Sequence, residues 1–375
     1  MLVDKTTLAD LNIFHSEEEQ SVFHYLNHTQ TNAGRDYLRQ LLLTPLKNPE
    51  DIRDTQQTIR CLMDVSDQWP QSVSNGAVMV MEKFYETPID YFPRNPDYLK
   101  SLFFKLFYRA DYSLIRFTVE HAIDFTRGLS TVVDLLKEQG LSRQLGLTVT
   151  RMEMLLNKPT LRELIRTDKK TLSPLQIMKF GGFIRFHFKA HCQELIEHFS
   201  KLDAYHSVAQ TAKQAHFCFP EVILSEQPFL QSRGLFHPLL TAPVAYTIEL
   251  NVAKNFLFLT GANMAGKSTF IKSVGVAVYL AHLGFPVPAE SMTISLLDGL
   301  LSNIQVVDNI MKGESFFFNE VQRIRNTIEK ISDRKKWLIL IDELFKGTNQ
   351  QDAVKCSTTV IEGLRKMHSS LFILS

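Results

Sequence analysis

A run of eight residues has the types and spacing of a phosphate-binding loop. Gly261, Gly266, Lys267 and Ser268 fit the pattern G-x-x-x-x-G-K-S/T. An apolar run before the loop predicts a strand, and the helix expected after it would direct its positive dipole end at phosphate. Lys267 would contact the β- and γ-phosphates, and the Ser268 hydroxyl would bind magnesium. The alternative is an ordinary glycine-containing turn between a strand and a helix.

The whole loop and the first residue of its helix are predicted to contact the nucleotide. These residues are Gly261, Ala262, Asn263, Met264, Ala265, Gly266, Lys267, Ser268 and Thr269.

Two acidic residues follow a second apolar run. Residues 337–341 predict a strand buried on both faces of a parallel sheet, and Asp342 and Glu343 come directly after it. Asp342 would hold magnesium, usually through water, and Glu343 would orient or deprotonate the attacking water. With the loop, this pair predicts hydrolysis of a nucleoside triphosphate. Alternatively, both are solvated loop acids.

The elements that must position these residues divide the chain into two predicted domains, 1–215 and 216–375. Apolar residues at intervals of three and four predict an all-helical first domain. In the second domain strands and helices alternate, which predicts an open, mostly parallel sheet covered by helices. The predicted strands are 246–250, 255–259, 292–295, 338–341 and 371–374, and the predicted helices run from the loop to 283 and over 316–331 and 352–367.

Composition gives no global sign of a nucleic-acid partner, because 41 Lys and Arg residues face 40 Asp and Glu residues. Residues 100–190, however, hold 16 basic and 8 acidic residues. This excess could serve a phosphate backbone, or it could be an ordinary solvated face. The aromatic residues of this region, Phe103, Phe104, Phe107 and Tyr108, are predicted to be helix-packing core and not a base-stacking platform.

Cysteine usage and hydropathy predict a reduced, soluble, cytoplasmic protein without a membrane partner. The four cysteines form no CxxC pair, so neither a zinc site nor a disulfide framework is indicated. The N-terminus lacks the pattern of a targeting segment, and no stretch approaches 18 uninterrupted apolar residues.

Several motifs together resemble the MutS family of DNA mismatch repair proteins. They are TGANMAGKST at 260–269, His237-Pro238, Val287-Pro288-Ala289, Asp342-Glu343 with Gly347-Thr348, the stretch from Leu202-Asp203 to Pro220-Glu221, and an N-terminal series from Leu26 to Gln57. The resemblance implies an N-terminal helical core/lever domain followed by a P-loop ATPase domain of the ABC type, with ATP and Mg²⁺ as cofactors.

The resemblance also implies a dimer that closes on nucleotide. Ser315 occupies the position of the family's signature serine, which reaches the γ-phosphate bound by the other subunit, and Glu320 matches an acidic residue that follows it. The alternative for Ser315 is a simple helix N-cap. Asn263 would contact the γ-phosphate, and Val244 and Tyr246 are candidates for stacking on the base.

The function implied is an ATP-driven switch that acts on duplex or branched DNA, as a homodimer through its ATPase domains. The family's mismatch-reading domain does not precede residue 1, so only a weak mismatch preference is expected. The family continues beyond the strand at 371–375 with Thr-His, and the ATPase domain is therefore expected to be C-terminally incomplete. The alternative function is an ATPase module that remodels a protein partner without touching DNA.

Overall fold

A computed structural model describes residues 1–89, 91–93, 95–262, 264–304, 316–333, 335–345 and 347–375, except for the side chain of Phe316. Its residues group into two compact units. The first, here called the sheet unit, comprises residues 1–26, 40–56 and 211–375, and the second, the helical unit, comprises 27–39 and 57–210. The N-terminal 26 residues thus group with the second predicted domain, and the family-type limits 1–215 and 216–375 stay a prediction.

The described residues form these elements in chain order. The helices are α1 (Lys5–Asp10), α2 (Val22–Leu26), α3 (Asn32–Leu42), α4 (Pro49–Asp64), α5 (Asn75–Glu86), α6 (Tyr98–Phe107), α7 (Arg109–Lys137), α8 (Arg143–Leu156), α9 (Pro159–Arg166), α10 (Pro174–Phe183), α11 (Lys189–Gln214), α12 (Lys267–His282), α13 (Phe316–Ile331) and α14 (Gln350–Leu364). The strands are β1 (Leu2–Val3), β2 (Glu221–Ile223), β3 (Leu230–Leu235), β4 (Tyr246–Leu250), β5 (Phe256–Phe258), β6 (Ser291–Ser295), β7 (Gly299–Asn303), β8 (Trp337–Ile341) and β9 (Ser370–Leu374).

The sheet unit contains a five-stranded sheet in the order β1-β7-β8-β9-β5. Every neighbouring pair in it is parallel. All residues of β7, β8 and β9 are buried, as expected for strands covered on both faces. The predicted parallel sheet under the two acidic residues is therefore confirmed.

A second, four-stranded sheet has the order β2-β6-β3-β4 and is mixed. Strand β3 pairs antiparallel with both β4 and β6, while β2 and β6 are parallel. The prediction of one open sheet was wrong here, because the predicted strands 246–250 and 292–295 belong to this second sheet. The alternating exposure along β3 fits a sheet with one solvated face.

Helix α12 forms the centre of the sheet unit. From Ser273 to His282 each of its residues is buried. Gly275 allows this helix to approach its neighbours closely, since an added Cβ would lie 2.5 Å from Leu11 Cδ2 and 2.7 Å from Leu340 Cδ1. The helix that follows the loop is thus held on two sides, by the N-terminal segment and by β8.

In the helical unit, the Asp203 side chain accepts hydrogen bonds from the residues directly before α3. Its carboxylate is fully buried and accepts hydrogen bonds from the backbone N–H groups of Gln30 and Thr31 and from the Thr31 hydroxyl. Burial raises the pKa of this carboxyl group, although the same hydrogen bonds act in the opposite direction. A matched motif residue thus has a structural role, in satisfying donors before the first turn of a helix.

Helix α6 packs with only one of its faces. Phe104 is 1% exposed, whereas Phe103 is 52% and Phe107 is 68% exposed. The prediction that all of these aromatic residues are helix-packing core was therefore wrong for Phe103 and Phe107. Periodicity indicated an amphipathic helix, but the apolar residues extend around more of α6 than its neighbours cover.

Candidate functional site

The predicted strand, loop and helix of the phosphate-binding motif are present. After β5, the Leu259 N–H donates to the Leu374 carbonyl at 2.7 Å, and α12 begins at Lys267. Gly266, at the N-cap of α12, has a φ of +89°, in the left-handed region where a side chain is disfavoured. Its carbonyl accepts the first helical hydrogen bond from Phe270 N–H at 2.9 Å. The second glycine of the motif is therefore required by backbone geometry.

The Lys267 ammonium group folds over its own loop. Nζ donates to the carbonyl oxygens of Gly261 at 2.8 Å and Ala262 at 3.0 Å. The side chains of Met264 and Ser268 are exposed beside it. A bound phosphate group could therefore replace these two carbonyl oxygens as the acceptor for the Lys267 ammonium group. Asn263 lies outside the described residues.

The two acidic residues lie at the end of β8. Asp342 N–H donates to the Asn303 carbonyl at 3.0 Å, which continues the pairing of β8 with β7 by one residue. Glu343 then turns the chain sharply, with a φ of +54°. Such a φ is uncommon for a residue other than glycine and is often found at functional sites. Both side chains are half-buried.

The phosphate loop and the acidic pair lie at the same edge of the parallel sheet. Register pairs Phe258 with Leu374 across β5 and β9, and Leu374 with Ile341 across β9 and β8. Only β9 separates the two strands, so their ends are on the order of 10 Å apart. The structure thus brings the start of the phosphate loop and the acidic pair to one edge of the sheet, where a magnesium nucleotide would bind.

Ser375 is a residue at this edge that the sequence prediction missed. Its N–H donates to the Ile341 carbonyl at 3.1 Å, so it lies beside Asp342. Its hydroxyl donates to Asp342 Oδ1. A signal existed in the sequence, because Ser375 ends the strand predicted at 371–374 and parallel strands end at a common edge.

A half-buried cation, Lys272, interacts electrostatically with the predicted magnesium ligand Asp342. Burial lowers the pKa of the Lys272 ammonium group, while the charges of Asp10 and Asp342 act in the opposite direction. Its Nζ donates to Asn12 Oδ1 at 3.0 Å. Next to it, burial and the charge of Lys272 lower the pKa of His237, in the matched His-Pro motif, to about 4. The His237 ring is therefore neutral at physiological pH.

The oxygen ligands at this edge fit a magnesium ion. Ser268 offers an exposed hydroxyl and Asp342 a half-buried carboxylate. Throughout the described ranges, no group of three or more His, Cys, Asp or Glu side chains could hold a metal ion. A cation here would therefore complete its shell with phosphate oxygens and water, which is the usual arrangement for Mg²⁺ with nucleotides.

Tyr246 lies beside the phosphate loop. Its ring meets that of Phe270 edge-on, with 5.1 Å between centroids, and its hydroxyl would lie 3.7 Å from a Cβ added to Gly266. Val244 is 66% exposed. These contacts place Tyr246 where a nucleotide could reach it, and a stacking role stays a prediction for both residues.

Ser315, with Gly313 and Glu314, lies outside the described residues. Its predicted contact with a partner's γ-phosphate therefore stays a prediction. Among the helices that the structure describes, none is long and apolar enough to cross a membrane.

Comparisons with known proteins match both ends of the chain. The family model of MutS domain V matches residues 257–375, and that of MutS domain III matches residues 6–91. Together they cover more than half of the sequence. The first match contains the loop and the acidic pair.

Individual relatives are similar to this chain over shorter stretches. DNA mismatch repair protein Msh3 of Mus musculus is 30% identical over 183 residues, which are 47% of this chain and 16% of the relative. DNA mismatch repair protein MutS of Clostridium kluyveri is 31% identical over 170 residues, which are 44% of this chain and 19% of the relative. The chain thus aligns with less than a fifth of the length of either protein.

Proposed function

We propose that this chain, which belongs to the MutS family, is a cytoplasmic ATP-driven switch that acts on DNA in mismatch repair or a related repair process. The observation that carries the proposal is the common sheet edge of the phosphate loop and the acidic pair. It supports a magnesium-dependent ATPase of the P-loop, ABC type.

Each residue at the edge has a distinct role in this proposal. The N–H groups of residues 261–269 and the Lys267 ammonium group bind the phosphates of ATP. Ser268 and Asp342 would hold Mg²⁺, which when bound neutralises phosphate charge. Glu343 orients the attacking water and accepts its proton. The strained backbone at Glu343 supports a fixed orientation of this carboxylate.

The proposed switch needs two copies of the chain. Ser315 of one copy would donate to the γ-phosphate held by the other, so that ATP favours the closed dimer through a contact that exists only there. Hydrolysis removes that contact and reopens the pair. The proposal thus makes ATP turnover dependent on homodimer formation.

DNA is the proposed partner because of the family and because of the charge on residues 100–190. Several basic residues there are already paired with acidic ones, as in Arg116–Glu120 and Lys169–Asp124. Others, such as Arg109, Arg166 and Lys170, are exposed. Exposed cations contribute to phosphate binding with a strong dependence on salt.

Binding to homoduplex, mismatched and branched DNA, measured across a salt series with and without ATP, tests this proposal. We expect binding that weakens steeply with salt, and a mismatch preference of less than about ten-fold, since contacts to the phosphate backbone do not read base pairs directly. Absence of binding to all three DNAs at about 50 mM salt would favour the alternative, an ATPase that remodels a protein partner. Triple replacement of Arg109, Arg166 and Lys170 by Gln should reduce the salt slope.

A further inference from the structure

Helix α1 holds the end of strand β7 through two buried side chains. Asp10 is 2% exposed, and its Oδ2 accepts from the Ser302 hydroxyl at 2.6 Å and from Ile304 N–H at 2.9 Å. Thr7 is fully buried, and its hydroxyl oxygen accepts from Ser302 N–H at 2.9 Å. Hydrogen bonds to a buried carboxylate are strong, so the position of this strand end depends on α1.

The same strand end positions the predicted magnesium ligand. Asn303 lies between the two residues that Asp10 holds, and its carbonyl accepts from Asp342 N–H at 3.0 Å. A shift of the β7 end would therefore move the backbone of Asp342.

Residues directly after α1 contact the helix of the phosphate loop. Asn12 accepts a hydrogen bond from Lys272, and Leu11 packs against Gly275. Lys272 interacts electrostatically with both Asp10 and Asp342. The N-terminal segment therefore contacts both parts of the site, the strand end beside Asp342 and the helix that begins at Lys267.

We propose that Asp10 is a positioning residue of the nucleotide site, which fixes the β7 end and, through Asn303, the backbone of Asp342. Asp10 does not touch the nucleotide, and the inference rests on the proposed ATPase function. The N-terminal segment in this way sets the rate of turnover and the demand for Mg²⁺, with little effect on ATP binding.

Three variants with different hydrogen-bonding capacity test this role. Asp10→Leu removes both bonds and should lower kcat by about ten-fold while the KM for ATP changes by less than about two-fold, because a misplaced catalytic group affects the reaction step. The Mg²⁺ concentration for half-maximal turnover should rise. Asp10→Asn keeps one side-chain oxygen that can accept from both the Ser302 hydroxyl and Ile304 N–H, as Oδ2 of Asp10 does, so its kcat should stay within about three-fold of wild type. Asp64→Leu, at an exposed aspartate, is the control.

The outcomes separate this inference from the function on which it rests. Wild-type protein without ATP turnover would contradict the proposed ATPase itself. If wild type turns over ATP normally and the kcat of Asp10→Leu lies within about two-fold of the wild-type value, the positioning role alone is contradicted. An Asp10→Asn variant with a kcat as low as that of Asp10→Leu would also contradict it. If Asp10→Leu does not fold, Thr7→Val removes the acceptor of Ser302 N–H, together with a hydrogen bond that the Thr7 hydroxyl donates to Asp4, at nearly constant shape and should lower kcat by about three-fold. A folded Thr7→Val variant with wild-type kcat and Mg²⁺ demand would overturn the inference.

Discussion

The Glu320 carboxylate accepts a hydrogen bond from the backbone N–H of Gly347, with 3.0 Å between Oε2 and nitrogen. Glu320 lies on α13 and is 5% exposed, and Gly347 belongs to the loop that follows the two acidic residues after β8. This bond joins the helix after the Ser315 segment to the loop after Glu343. It gives a physical role to an acidic residue that the sequence indicated only by resemblance.

Replacement of Glu320 by alanine should loosen that loop. The Gly347 N–H would lose a charged acceptor, which costs about 1–3 kcal/mol of unfolding free energy. We expect ATP turnover to fall by about ten-fold with a smaller change in ATP affinity, because this loop directly follows Glu343 and helps to fix its position. Steady-state kinetics and thermal unfolding measure the two effects. Glu329→Ala, at an exposed residue paired with Arg325, should change neither by more than a small amount.

Two phenylalanines of α6 should differ sharply in their effect on stability. Phe104 is 1% exposed, so Phe104→Ala should cost about 3–5 kcal/mol of unfolding free energy. Phe107 is 68% exposed, and Phe107→Ala should cost less than about 0.5 kcal/mol. Urea unfolding followed by Trp69 fluorescence in a Trp337→Phe background compares the two variants. Equal losses in the two variants would mean that Phe107 is covered in solution.

Most elements of the site could be predicted from the sequence because their signals are local. The loop has a fixed pattern of residues, and β8 and β9 are uninterrupted apolar runs. Strand β7 has no such signal, since it begins with Gly299 and ends with Ser302 and Asn303. These polar residues are tolerated in a buried strand because Asp10 and Thr327 provide partners for their side chains.

The role of α1 could not be predicted for the same reason. Strand β1 has only two residues, and Asp10 is separated by 292 positions from the hydroxyl group that it binds. No local sequence pattern predicts a contact between residues so far apart in the sequence. The contact of Ser375 with Asp342 is likewise visible only when the strand order places β9 beside β8.

Stability should fall with acid because of a buried histidine. His282 is fully buried and neutral: Nδ1 bonds to the Val278 carbonyl, Nε2 accepts from Leu297 N–H, and burial lowers its pKa to about 4. The unfolded chain, with the ordinary histidine pKa of 6.5, binds the extra proton. This stabilisation is therefore complete above pH 6.5 and is lost as pH falls toward 4, by about 1.4 kcal/mol per pH unit.

His282→Gln should remove that contribution, because glutamine can donate and accept without titrating. Unfolding is best followed by Trp337 in a Trp69→Phe background, since the chain has 2 tryptophans and Trp337 lies in the sheet unit. We expect the variant to lose less unfolding free energy than its parent between pH 7 and pH 5. His368→Gln, at an exposed histidine, is the matched control. Parallel pH curves for parent and His282→Gln would contradict the assignment.

Mixing two inactive variants tests the composite site. Lys267→Ala lacks a phosphate ligand and Ser315→Ala lacks the group proposed to act across the dimer. If the site is shared, mixed dimers contain one complete site, and equal mixing should restore about a quarter of wild-type turnover in a symmetric dimer. Lys366→Ala should leave turnover unchanged, since Lys366 is exposed. Absence of recovery, with subunit exchange shown by labelled chains, would mean that Lys267 and Ser315 serve the same copy's nucleotide.

The central claim is that Glu343 activates water for hydrolysis of ATP bound at the neighbouring loop. Single-turnover hydrolysis of radiolabelled Mg·ATP by wild type and Glu343→Gln tests it most directly, with nucleotide binding measured on the same samples and Glu362→Gln as control. We predict that Glu343→Gln binds ATP as wild type does and cleaves it slower by on the order of 10² or more. Equal cleavage rates in the two proteins would contradict the claim.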